Sequence, residues 1–170
     1  GLWDDVSAQQ RLAKGEQLWS YTALCQGPEA TPWWQIDMEP VHFRAPLWIS
    51  WNLHISGFLY WSSVAYKGHR SLQEVWEAPT YRGYFWGEGV MLYPGAPAGV
   101  DGFVPSIRLK LFREAAEDYE YMTLAAAKGK REELDRMVAG VAASFQQWSH
   151  DPAAYEQARG QLAKLVVEQR

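Results

Sequence analysis

Apolar positions in this chain change their period several times, and each change marks an expected element. Ser7 to Lys14 reads as one or two helical turns, with Ser7 as N-cap and Gly15 as a stop. Glu16 to Cys25 alternates and is rich in Trp, Tyr and Thr, which predicts a strand. Residues 27–32 carry Gly27, Pro28 and Pro32 and predict a loop, and residues 33–39 read as extended or irregular. From Pro40 to about Ser56, the residues Phe43, Leu47, Trp48, Trp51 and Ile55 fall at helical spacing, and Gly57 closes the helix. Phe58 to Ala65 is an apolar run of the kind buried on both faces of a parallel sheet.

Beyond it, a longer excursion holds a short helix around Leu72 to Trp76. Val90 to Tyr93 forms the next strand, stopped by Pro94 and Gly95, and residues 96–102 make a Gly/Pro loop. Ser106 caps a long amphipathic helix that runs to about Lys128, with Gly129 ending it. Lys130 to Trp148 and Pro152 to Gln169 are two further helices, the first with an apolar stripe of Leu134, Met137, Val138, Val141 and Phe145. Strands alternate with helices through the first two thirds, which argues for an α/β fold with parallel pairing. Three or four strands would leave open edges and a bare apolar face. The expected fold is therefore the last strands and helices of a (β/α)8 TIM-type barrel, incomplete in this chain. Residues 1–128 form the barrel portion and residues 129–170 a helical tail packed on it. The remaining strands would come from a missing N-terminal segment or from a second chain.

Composition narrows the function classes. The net charge of the 170 residues is −4, and Lys and Arg are scattered, so no nucleic-acid face is indicated. No apolar run reaches the length of a membrane span, so no membrane partner is expected. Cys25 is alone, which rules out an internal disulfide and a cysteine-based zinc site and leaves the compartment open. His42, His54, His69 and His150 are dispersed, and neither a metal nor a cofactor is expected. Ten Trp, nine Tyr and six Phe make the chain 15% aromatic, more than a core of this size needs. Some of these rings pack the core; others suit a carbohydrate cleft, where flat rings stack on sugar C–H faces.

Several motifs fall in a suggestive order: Gly15 and Glu16 with Trp19 and Tyr21; Ile36 and Asp37 with Arg44; the run Gly57 to Trp61; Gly89 with Tyr93, Pro94 and Gly95; Ser106 to Arg108, Arg113, and Glu117 to Tyr121. Together they resemble the carboxyl-terminal part of domain-of-unknown-function family 4091, which is similar to the glycoside hydrolase family 123 type of catalytic domain. The resemblance implies a TIM-type barrel with its site at the carboxyl ends of the strands. It also implies a retaining hydrolase of N-acetyl-β-galactosaminides or a related β-glycoside. In that family type an adjacent Asp–Glu pair serves a substrate-assisted mechanism: the sugar's 2-acetamido oxygen attacks the anomeric carbon, Asp orients it, and Glu protonates the leaving oxygen. This chain departs from the pattern, because no Asp-Glu dipeptide follows a strand. Glu117 and Asp118 stand in reversed order inside a helix, and Asp4 and Asp5 read as a loop or helix-start feature.

The candidate substrate-binding residues are Tyr21, Trp61 and Tyr93, with Trp19 beside Tyr21 on one strand face and Asp37 and Arg44 as polar support. Each has a plainer reading: the aromatics as core, Asp37 and Arg44 as an ion pair that orders a loop. Glu88, between two glycines, reads as structural or solvated. Arg108, Arg113, Glu117, Asp118 and Glu120 read as a charge cluster that fastens the long helix to the rest. The catalytic acid is not identified. A carbohydrate-binding or scaffold module without catalytic carboxylates is the rival reading, and an interaction protein that pairs through an open sheet edge is a third.

Overall fold

The computed structural model describes residues 3–22 and 31–167. Asp4 caps helix α1 (Asp5–Leu12) by accepting the Ser7 N–H, and strand β1 (Leu18–Tyr21) follows. A 3-10 turn over Pro40–Phe43 leads into α2 (Ala45–Asn52), with Pro46 in its first turn, where no backbone donor is needed. Strand β2 (Ile55–Leu59) comes next, then α3 (Leu72–Glu77), capped by Ser71. Two antiparallel pairs follow: β3 (Thr80–Tyr81) with β4 (Phe85–Trp86), and β5 (Leu92–Pro94) with β6 (Phe103–Pro105). Ser106 accepts the Leu109 N–H and starts α4 (Ile107–Ala127). The chain ends with α5 (Arg131–Val141), the hairpin β7 (Ala142–Ser144) and β8 (Gln147–Trp148), and α6 (Pro152–Val167). It is a mixed α/β structure of small sheets and six helices among the described residues.

One pairing is parallel. β1 and β2 run side by side with α2 between them in sequence, Trp19 opposite Gly57 and Tyr21 opposite Leu59. The other pairings among the described residues are antiparallel, so the expectation of parallel pairing through the first two thirds of the chain is corrected. The sequence reading also misplaced several boundaries. Its helix over residues 40–56 is a 3-10 turn and a short α2, because His54 takes a left-handed conformation (φ 55) that turns the chain out of the helix. Gly57 ends no helix; it lies inside β2, where a Cβ would come within 2.3 Å of the Trp19 ring. The strand over residues 58–65 is therefore shifted to Ile55–Leu59. The helix over residues 130–148 stops at Val141, and residues 142–148 form a hairpin. The opening turns begin at Asp5 rather than Ser7. Cys25 and most of the loop expected at residues 27–32 lie outside the described residues.

The main core joins α2, α4, α5 and α6. Trp48, Ile49, Met122, Leu134, Val138, Tyr155 and Leu162 are fully buried in it, so residues 129–167 share the same core as α2 and α4. A second cluster centres on Trp34, whose ring meets Phe43, Phe58, Tyr60 and Phe112 at 5.0–5.9 Å. Between the helices sits Asp118, fully buried. Its carboxylate accepts from Arg44 Nε at 2.6 Å and Nη2 at 3.1 Å, from Trp48 Nε1 at 2.9 Å and from Arg159 Nη1 at 3.0 Å. Arg44 also donates to Glu156, and Arg159 reaches Glu114 and Glu117. Removing Asp118 would leave one buried guanidinium without its main partner and one indole donor without an acceptor. Asp118→Ala is expected to lower unfolding stability by about 3–5 kcal/mol, read in urea titration. Arg159→Ala, at the more exposed rim, is expected to cost clearly less.

Candidate functional site

The most unusual polar cluster forms just beyond the carboxyl end of β2. Gly87 and Gly89 both have positive φ (75 and 70) and let the chain turn tightly on either side of Glu88. Neither tolerates a side chain: a Cβ at Gly87 would lie 2.7 Å from the Arg108 guanidinium, and one at Gly89 would lie 2.6 Å from the Trp61 ring. Glu88 is thereby turned inward and is 2% exposed. One carboxylate oxygen accepts the indole N–H of Trp61 and the other the side-chain amide of Gln35. The Tyr60 hydroxyl also meets Glu88 and accepts the Gly89 N–H at 2.7 Å. Arg108 lies alongside, donating to the carbonyls of Gly87 at 2.7 Å and of Val90.

Burial pushes the Glu88 carboxyl above its ordinary range, and the donors from Trp61, Gln35 and Tyr60 and the Arg108 charge only partly offset this. The same burial, with Glu88 close by, pushes the Tyr60 phenol up strongly. A carboxyl group in such surroundings holds a proton more readily than a solvated one. It could donate to or accept from a bound polar group only by exchanging one of its present partners.

The sequence-derived residues divide around this cluster. Trp61 belongs to it: the residue is 44% exposed and its ring meets the Tyr81 ring edge-on at 5.2 Å. Trp19 and Tyr21 lie on the open face of β1, 66% and 59% exposed, with Leu59 of β2 beside Tyr21. Asp37 is exposed in a turn, and no ion pair reaches it among the described residues. Arg44 is turned to Asp118 and Glu156 rather than to Asp37, and its guanidinium is fully engaged. Tyr93 is buried with Val75 and Val90, its ring 4.7 Å from Trp76. Arg44 and Tyr93 thus hold the scaffold and present no surface on which a ligand could lie. Asp4 caps α1, as a helix-start residue would. Glu88, Gln35 and Tyr60 were missed as a group. The flanking glycines of Glu88 were the one local signal; its contact with Gln35 spans 53 positions and leaves no periodic trace.

Elsewhere, a cavity of about 190 Å³ lies between β2, α2 and α4, lined by Ser50, Ser56, Phe58, Tyr119 and Glu120 among others. None of the sequence-derived site residues lines it. No helix among the described residues is long and apolar enough to cross a membrane.

In comparison with known proteins, the chain matches the family described as "Glycoside hydrolase 123, catalytic domain" over residues 3–125. No curated protein matches it.

Glu39, His42 and His150 bring three potential metal-ligand atoms within 4.8 Å of one another. The hydrogen bonding opposes that use. His42 Nδ1 accepts the Trp33 N–H at 3.0 Å, so the neutral ring carries its proton on Nε2 and has no second lone pair for an ion. The rings instead stack: Trp148 lies on His150 at 4.0 Å and meets His42 edge-on at 4.8 Å. Burial, then the His150 charge, holds the His42 imidazole below its usual range of 6.5, with Glu39 opposing. The folded state therefore favours neutral His42. The stability this contributes is complete above about 6.5 and is lost as the pH falls towards the lowered native value. The thermal midpoint is expected to fall between pH 7 and pH 5 by more in the wild type than in His42→Gln, whose amide oxygen can still accept the Trp33 N–H. Parallel melting profiles for the two proteins would refute this.

Proposed function

The chain belongs to the glycoside hydrolase 123 catalytic-domain family, which gives it a function of glycoside hydrolase type, and we propose that it forms the sugar-platform side of a β-glycosidase site. The substrate class is N-acetyl-β-galactosaminides or a related β-glycoside, cleaved with retention by the substrate-assisted route. The observation that carries this reading is Trp61: a half-exposed indole two residues past the end of a parallel strand, held by a buried carboxyl group. Sugar-stacking rings need this combination of exposed face and fixed plane. Tyr21 borders the same end of the β1–β2 pair, and Trp19 lies deeper along β1.

The proposal includes a barrel that this chain does not complete. β1, α2 and β2 form a β-α-β unit, and its open face carries Trp19, Tyr21 and Leu59, each about half exposed or more. Among the described residues each strand also has a free edge. Those features fit residues 1–128 as part of a TIM-type barrel, with residues 129–170 as a helical tail and the other strands from a preceding segment or a second chain. No described strand ends in an Asp–Glu pair, so the acid and the acetamido-orienting carboxylate would come with those strands. The rival, a carbohydrate-binding module without catalytic carboxylates, draws on the same surface.

A panel of chromogenic β-glycosides, including N-acetyl-β-galactosaminide, tests the reading on this chain and on the complete polypeptide that contains it. Hydrolysis by the complete polypeptide and not by the chain is the expected outcome. Trp61→Ala in the active protein is expected to lower kcat/KM about tenfold to a hundredfold, the loss of one stacking contact of about 1–3 kcal/mol. Hydrolysis by the 170 residues alone would move the chemistry onto a carboxylate within them. Saccharide binding without turnover in either protein would favour the module.

A further inference from the structure

A buried carboxyl group costs stability unless its partners compensate fully, and around Glu88 they do not. Its side-chain donors are neutral groups: an indole, an amide and a phenol. The Arg108 guanidinium is occupied by backbone carbonyls. An apolar residue would fill the same space with less penalty. The partner that gains most is Trp61. The residue is 44% exposed, and the aromatic contact it makes among the described residues, with Tyr81, is edge-on, so ring stacking does not fix its plane. The bond to Glu88 does, and Gly89 leaves the room the ring occupies.

We propose that Glu88 is a positioning residue that locks the Trp61 indole into one plane, with Gln35 as the brace that holds the carboxylate in turn. The proposal rests on the reading of Trp61 as a sugar platform only for its purpose; the lock itself stands on the geometry. Both Glu88 oxygens act as acceptors, one towards Trp61 and one towards Gln35. A glutamine there offers a single acceptor and places an N–H₂ against another donor. Gln35 can relieve that clash, because its own amide oxygen is buried without a hydrogen-bond partner. A rotation of its amide would present that oxygen to the new N–H₂. Glu88→Gln should therefore fold, while weakening the hold on the indole from a charge-assisted bond to a neutral one.

The test is the Trp61 indole N–H resonance in the ¹⁵N-labelled chain, assigned with Trp61→Phe. In the wild type it is expected downfield, as for a donor to a carboxylate. In Glu88→Gln it moves upfield and broadens as the ring samples more than one rotamer, with a thermal midpoint equal to or above that of the wild type. Methyl N-acetyl-β-galactosaminide is then titrated into both proteins, and its effect on the same resonance is expected to require roughly tenfold more glycoside in Glu88→Gln. A Trp61 resonance that does not change in Glu88→Gln overturns the proposal, whatever the glycoside does. A resonance that depends on Glu88 but ignores the glycoside supports the lock and overturns the sugar reading alone.

Discussion

The carboxylate of Asp118 is the constraint on which the helical part of the structure turns. It is fully buried in the middle of α4 and binds two guanidinium groups and an indole, which come from the start of α2, from α2 itself and from α6. A buried anion must find such partners or be neutralised, so its presence fixes where α2 and α6 can lie around α4. The consequence reaches the site. Ten residues earlier on the same helix, Arg108 holds the carbonyls on both sides of Glu88. At 1.5 Å per residue the two anchor points are about 15 Å apart, so α4 acts as a rigid rod between the core and the Gly87–Gly89 loop.

The two buried carboxyl groups that α4 connects are treated in opposite ways. Asp118 meets cations and has all its partners, as a group that holds a core together should. Glu88 meets neutral donors and keeps a desolvation cost that nothing fully offsets. The adjacent Gln35 has a buried amide oxygen without a partner, and Trp33 has a buried indole nitrogen in the same condition. A third such atom among the described residues, Ser20 Oγ, lies on β1; buried polar groups left incompletely satisfied are uncommon in a core and call for a reason. Asp118 therefore belongs to the fold, while the surroundings of Glu88 fit the positioning role proposed for it.

How much of this the sequence disclosed depended on the range of the causes. The start of α4 at Ser106 and its end at Gly129, the short α3 and the long α6 are written in local capping and periodicity. α2 was not: Ala45, Pro46, Trp48, Ile49, Ser50 and Trp51 are all buried, so its apolar pattern surrounds the helix and gives no stripe from which to read a length. Gly57 looked like a stop because glycines often are; its reason is the Trp19 ring on the neighbouring strand. Phe145 continued an apolar stripe in the sequence, yet the chain leaves the helix at Val141 and turns into a hairpin. Among the candidate residues, the place of Trp61 just past a strand was legible from the apolar run that precedes it. Arg44 and Tyr93 were chosen by residue type, and their long-range partners decide otherwise. Glu88 acquires its character from Gln35, Tyr60, Trp61 and Arg108, none of which is a sequence neighbour.

The open face of β1 and β2 bears on which aromatics meet a ligand. Trp19 and Tyr21 are two residues apart and share that face, about 6–7 Å apart along the strand. Register puts Tyr21 level with Leu59, and Trp61 lies two residues further in the strand direction. On the barrel reading, the rings form a series in depth, with Trp19 lowest, Tyr21 above it and Trp61 at the rim. A barrel interior is filled by side chains up to its mouth, so a ring as deep as Trp19 would be covered by residues of the other strands. Its close fit over Gly57 suits a floor that is packed upon. Recognition then falls to the rim, where the one ring of the series held by a buried carboxyl group is Trp61. On the proposed reading, the exposed apolar face and the braced indole are two requirements of a single architecture, the first for neighbouring strands and the second for a sugar.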